Sequence, residues 1–151
     1  MAYEDFTEMP VWKAAFNLLL YVYKVTKDYP TDERFGLTSD TRRSANSIVH
    51  NIAERLSEKW LKLECKPWFA RQGKPCTPAF QTASEDFGRF EAKDKTRFYK
   101  ISRGSAYELM SQILVAQALL YIDEATKNEL IPQCRKIISD LNALIKTLEK
   151  G

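Results

Sequence analysis

Imidazole and thiol chemistry in this chain is limited to one histidine, His50, and three cysteines, Cys65, Cys76 and Cys134. A cysteine nucleophile needs a base or an electropositive setting to hold its thiolate. His50 has no acid or thiol beside it in the sequence, and Cys134 falls among apolar residues at helical spacing. A structural zinc site asks for closely spaced ligand pairs, which Cys65 and Cys76, with ten residues between them, do not supply with His50. The sequence holds no Gly-rich phosphate loop, HExxH, GxSxG or CxxC. The expectation is therefore a protein that is not an enzyme, with no metal, no cofactor and no small-molecule substrate.

Two other groups of residues suggest binding rather than bond-making. The first mixes Lys59, Lys62, Lys66, Arg71 and Lys74 with Trp60, Trp68 and Phe69. Cations that meet phosphates and rings that stack on bases are the ingredients of a single-strand RNA surface. The plainer reading is aromatic residues packed down with solvated lysines around them. Arg42 and Arg55 join Lys59, Lys62 and Lys66 as candidate phosphate contacts, with Trp60 and Trp68 as stacking platforms.

The second group is the row Arg43, Ser47, Asn51 and Glu54, spaced i, i+4, i+8, i+11 and so aligned along one side of a helix. It reads as a polar network between helices or subunits in which Arg and Glu satisfy each other, and alternatively as an RNA-contacting row. Arg103, Ser105 and Glu108 are candidate partners for it, with Gly104 allowing another backbone to come close.

The elements that must position these residues are helices. Trp12, Phe16, Leu19, Leu20 and Tyr23 recur every three or four residues in a first helix from about Met9 to Tyr29, started by Pro10 and stopped by Pro30. Val11, Leu18, Val22 and Val25 widen its apolar surface beyond one seam. A second helix is expected from Leu37 or Thr38, burying Thr41, Ala45, Ile48, Ile52 and Leu56. A third, from about Asp94 to Tyr121, carries one apolar face through Phe98, Leu109, Ile113 and Leu120 and a second through Tyr107, Met110, Leu114 and Tyr121. The fourth starts at the N-cap Asp123 and has a single seam, Leu130, Cys134, Ile137, Leu141, Leu144 and Leu148, with Pro132 expected to kink or divide it.

Between the second and third helices, about 58–93, the rhythm breaks. Pro67, Pro75, Pro78, Gly73 and Gly88 collect there, so the segment reads as an insertion, helical at first and then mostly loop, with one short helix near Ser84 to Phe90. The fold expected is all-α: one domain, 1–151, built as an up-down four-helix bundle with an irregular, partly helical insertion. Apolar surface on helices one and three beyond the needs of a lone bundle implies a homo-oligomer.

Only 5 glycines and 6 prolines among 151 residues agree with a helical chain, and a net charge of +3 neither requires nor excludes a polyanion partner. No apolar run reaches the roughly 18–20 residues of a membrane span. An N-terminus without an apolar leader and an odd cysteine count make the cytoplasm the expected compartment.

MPVWKAA at the start, YKVTKDYP from Tyr23, ERFGL from Glu33, RRSANSIVHNIAE from Arg42 and SRGSAYEL from Ser102 together resemble the bacterial four-helix-bundle family encoded in intervening sequences of 23S ribosomal RNA genes. The resemblance covers about residues 6–57 and 94–148. It implies a cytoplasmic bundle assembled as a ring-like homopentamer and linked to ribosomal RNA or a ribonucleoprotein. Relatives that serve diversity-generating retroelements imply nucleic-acid binding more generally. A pure protein-interaction scaffold remains the other expectation. Arg55 stands where the family has Gly after NIAE, so helix two is expected to run on into the insertion.

Overall fold

In the computed structural model the backbone is described for residues 5–64 and 78–150, and the side chains for 5–55 and 96–150. Four long helices account for most of it: α1 (Pro10–Val25), α2 (Leu37–Glu64), α3 (Pro78–Ala118) and α4 (Glu124–Lys150). Single 3₁₀ turns at Phe6–Glu8, Thr26–Asp28 and Thr31–Phe35 lead into or join them. The described residues contain no strand.

Each boundary has a local cause. Asp5 accepts the Thr7 amide at 2.8 Å, and Pro10 occupies the first turn of α1, where a missing N–H costs nothing. At the other end of α1, Thr26 Oγ1 donates to the Val22 carbonyl at 2.8 Å and turns the chain toward Tyr29. Glu33 then folds forward so that its Oε2 accepts the Leu37 amide at 2.9 Å, capping α2. Gly36 makes room for this cap, because a Cβ there would lie 2.6 Å from the same oxygen. Asp123 caps α4 by accepting the Thr126 amide at 2.7 Å, and hydrogen bonding from the Thr126 side chain and then its amide holds the carboxyl below the usual carboxylate range.

The α3–α4 turn is a Schellman motif. The Tyr121 amide reaches the Ala116 carbonyl at 2.9 Å and the Leu120 amide reaches Gln117 at 3.0 Å. The left-handed position of such a turn normally belongs to glycine, yet here it holds Leu120 at φ 61°.

The helices run up, down, up, down. Thr26 and Tyr23 of α1 meet Arg42 and Asn46 of α2 in reversed order, and Ile48 and Arg55 of α2 meet Ser102 and Tyr99 of α3 likewise. Lys100 of α3 pairs with Glu149 near the end of α4, while Tyr21 of α1 donates to Glu129 near its start. α1 touches α2 and α4, α3 touches α2 and α4, and α1 and α3 stand at diagonal corners. The interior is filled by Leu18 and Val22, Ile48 and Ile52, Tyr99, Leu109 and Ile113, and Leu130, Ile137 and Leu141, all essentially inaccessible.

Several sequence expectations need correction. α1 ends at Val25 rather than Tyr29 and buries Val11, Leu18 and Val22 while Phe16, Leu20 and Tyr23 are exposed, and α3 ends at Ala118 rather than Tyr121, with Leu120 exposed beyond it. α3 starts at Pro78, not near Asp94, so most of the expected loop and the separate short helix at Ser84 to Phe90 belong to one 41-residue helix. α4 continues through Pro132 as one helix and is not divided there. The carbonyl deprived of its partner by the proline is that of Asn128, and both residues are exposed, so water can take the missing bond. The continuation of α2 past Arg55, by contrast, agrees with expectation and extends to Glu64.

Candidate subunit and nucleic-acid interfaces

The polar row on α2 divides between two settings. Ser47 and Ser105 share a hydrogen bond at 2.8 Å between α2 and α3, and Asn51 Nδ2 donates to the Ser47 carbonyl at 2.8 Å and to its hydroxyl at 3.2 Å. One turn away Ser102 Oγ, fully buried, donates to the Ile48 carbonyl at 2.9 Å. Small hydroxyl residues let the two helix backbones approach, and each buried hydroxyl finds an acceptor, as a buried polar group must. Ser47, Asn51 and Ser105 are thus joined by hydrogen bonds along the α2–α3 seam.

Arg43, Arg103, Glu54 and Glu108 lie away from it. The carboxylate that meets Arg43 is Asp40, one turn back at 2.7 Å, and not Glu54, which lies about 16 Å along the helix at 1.5 Å per residue. Arg103 donates to Asn142 of α4 at 2.8 Å. Glu54 and Glu108 are exposed.

The arginines expected to contact phosphate are held by the fold. Arg42 Nε donates to Thr26 Oγ1 at 2.8 Å while its guanidinium lies 4.8 Å from the centre of the Tyr23 ring. Asn46 completes this cluster by donating to the Tyr23 hydroxyl at 2.9 Å. Arg55 donates to the Tyr99 hydroxyl at 2.6 Å and lies 4.8 Å from that ring's centre, an arrangement in which one aromatic residue offers both its face and its oxygen. A phosphate contact by either arginine would have to use the N–H groups left over. Tyr23 with Thr26, and Arg42 with Asn46, are each spaced about one turn apart, but they mark this cluster only once the two elements are known to be adjacent.

Of the remaining candidates, Lys59, Trp60 and Lys62 lie on the described backbone of α2 beyond its described side chains. Lys66 and Trp68 lie outside the described residues, as do Cys65 and Cys76. His50 is exposed. Cys134 is fully buried, and burial pushes its thiol up to about 12, which keeps it protonated and unreactive.

Among the described residues, several large apolar side chains are exposed on two of the helices. On α1, Phe16, Leu20 and Tyr23 face outward, with Leu20 54% exposed. On α3, Ile101, Tyr107, Leu114 and Val115 do the same, with Tyr107 56% exposed. α4 buries its isoleucines with Leu130 and Leu141, half-buries Leu144 and Leu148, and has no large hydrophobic residue among the exposed ones. The asymmetry read from the sequence between helices one and three and helix four is therefore present in the fold. A shallow open cleft of about 410 Å³ lies at the end of the bundle, lined by Val25, Asp28, Leu120, Tyr121, Ile122, Asp123 and Thr126.

These observations define an antiparallel four-helix bundle with a hydroxyl-lined α2–α3 seam and two outward apolar faces at diagonal corners. The chain belongs to the family of 23S rRNA-intervening sequence proteins, whose model matches residues 7–60 and 81–143. The two matched segments cover both seam helices and leave 61–80, the proline-rich part of the insertion, between them. No match to a curated protein was found. Among the described residues no group of three or more His, Cys, Asp or Glu side chains is placed to hold a metal ion, and no helix is long and apolar enough to cross a membrane.

Proposed function

We propose that this chain is a non-enzymatic, cytoplasmic homo-oligomeric adaptor, a pentamer by its resemblance, that associates with ribosomal RNA or a ribonucleoprotein. The observation that carries the oligomer is the pair of outward apolar faces on α1 and α3, contiguous along each helix rather than scattered singly. Membership of a family named for 23S ribosomal RNA supports the choice of RNA. The basic and aromatic residues Lys59, Trp60, Lys62, Lys66 and Trp68 supply the chemistry, and Arg42 and Arg55 serve the bundle first. Repetition of one weak basic site around an oligomer raises its avidity without any new contact.

Titration of labelled 23S ribosomal RNA fragments at two salt concentrations tests the reading. Binding that weakens steeply with salt, and weakens again when Lys59, Lys62 and Lys66 are reversed to Glu, is the expected result. Binding that is absent at low salt, or indifferent to salt, refutes it and leaves a scaffold for protein partners. That scaffold would be favoured by a partner retained on the chain after nuclease treatment.

A further inference from the structure

The two apolar faces differ in shape and in charge. Between Pro10 and Lys27 the sequence has no carboxylate, and the outer face of α1 sets Lys13 and Lys24 beside the bulky Phe16, Leu20 and Tyr23. Between Gly104 and Tyr121 it has no lysine or arginine, and the outer face of that stretch of α3 carries one charge, Glu108, with the exposed Arg97 and Lys100 lying before it. Lys13, Lys24 and Glu108 form no ion pair among the described residues, although other exposed charges such as Lys136 and Asp140 do.

The shape of the α3 face follows a seven-residue repeat. Gly104, Ser111 and Ala118 make a row of hollows, and Ile101, Glu108 and Val115 form the ridge beside it. Gly104 is the informative position. Glycine is the poorest helix former after proline, and a Cβ at Gly104 would meet nothing within 4 Å, so its own chain gives no reason for it. A second helix laid along this face does. Phe16 to Tyr23 spans the same seven residues as Gly104 to Ser111, so side chains of one helix match the hollows of the other in register.

We infer that the α1 face of one copy seats on the α3 face of the next, with Phe16, Leu20 and Tyr23 against the hollows of Gly104 and Ser111 and the α1 lysines beside Glu108. This inference rests on the homo-oligomer reading above and adds which surfaces meet. Because the two faces are different and look away from each other, the contact is heterologous, and repetition closes a ring when the rotation per subunit allows. Pairing α1 with α1 would instead bring lysines together.

Two surface variants test the pairing. Leu20→Asp spoils the α1 face and Gly104→Glu spoils the α3 face, and circular dichroism verifies that both keep their helix content. By light scattering the unaltered chain is oligomeric, each variant alone has the 17.5 kDa mass of one chain, and an equimolar mixture has twice that mass. The doubling arises because one intact α1 face meets one intact α3 face and nothing remains to propagate. Should either variant lose helix content, Leu20→Lys and Ser111→Glu repeat the experiment. Variants that keep the parent mass, variants that dimerise alone, or a mixture that stays monomeric each overturn the pairing while leaving the oligomer intact. An unaltered chain that is itself monomeric overturns the oligomer reading, and the pairing with it.

Discussion

Leu120 is doubly misplaced in an isolated bundle, and replacing it with glycine should stabilise the fold. Its φ of 61° puts a Cβ-bearing residue in the left-handed region, which costs about 1–2 kcal/mol for most residues. The side chain recovers little of that cost, because the residue is 86% exposed. If full burial of a leucine is worth about 1.5–3 kcal/mol, the small buried fraction recovers about 0.2–0.4 kcal/mol. Glycine relieves the strain but gives back some through the greater freedom of the unfolded chain, about 0.5–1 kcal/mol. The net expected for Leu120→Gly is a gain of about 0.5 kcal/mol, or about 1–2 °C in Tm for a chain of this length. Urea denaturation of Leu120→Gly and Leu120→Ala side by side isolates the cause. Alanine keeps the strained Cβ and loses the packing, so it should be the less stable of the two by about 1 kcal/mol. Equal midpoints for the two variants, or a glycine variant less stable than the parent, would refute the reasoning.

Tyr99→Phe keeps the ring under Arg55 but removes the oxygen that accepts at 2.6 Å, and should cost about 1–2 kcal/mol in a urea melt. Tyr99→Leu, which removes the ring as well, should cost more. Cys134, held protonated by burial at about 12, should resist iodoacetamide at pH 8 in the folded protein and react once urea opens the bundle, as peptide mass spectrometry would show. Burial of the Tyr29 ring raises its hydroxyl from 10.0 to about 12, so the folded state retains a proton that the unfolded chain has lost. Stability should therefore be unaffected by Tyr29 below pH 10 and fall as the pH rises from 10 toward 12, and Tyr29→Phe should flatten that fall.

The parts of this fold that were legible in the sequence are those fixed by local rules. Pro10 in a first turn, Asp123 as a cap, and apolar residues recurring every three or four positions located α1, α4 and the start of α2, because each depends on neighbours within a turn or two. The start of α3 was not legible. Gly88 and the nearby prolines argue for a loop, but Pro78 fits a first helical turn and one interior glycine costs a helix only about 1 kcal/mol. Among the site residues, Ser47 and Asn51 could be grouped from helical spacing alone, whereas Ser105 lies on another helix, 58 residues away. The fates of Arg42 and Arg55 could not, since a guanidinium reaches several ångströms and its partners, Thr26 and Tyr99, lie sixteen and forty-four residues away.

The hydroxyl seam and the apolar exterior have a common origin in how residue size is distributed around α3. Ser102, Ser105 and Ala106 are buried in the bundle, and small residues there let α2 come close, so that little apolar surface is needed on that side. The larger Tyr107, Leu114 and Val115 are displaced outward, where a lone bundle gains only about half of their burial. A sequence selected only for the stability of one copy would put polar residues at those positions, as α4 does on its back with Lys136, Ser139 and Asn142. Polar replacement of Tyr107 or Leu114, each about half buried, should therefore cost a dissociated chain no more than about 1–1.5 kcal/mol, while its assembly is lost. A stability loss of several kcal/mol in the dissociated chain would mean instead that these side chains serve their own bundle.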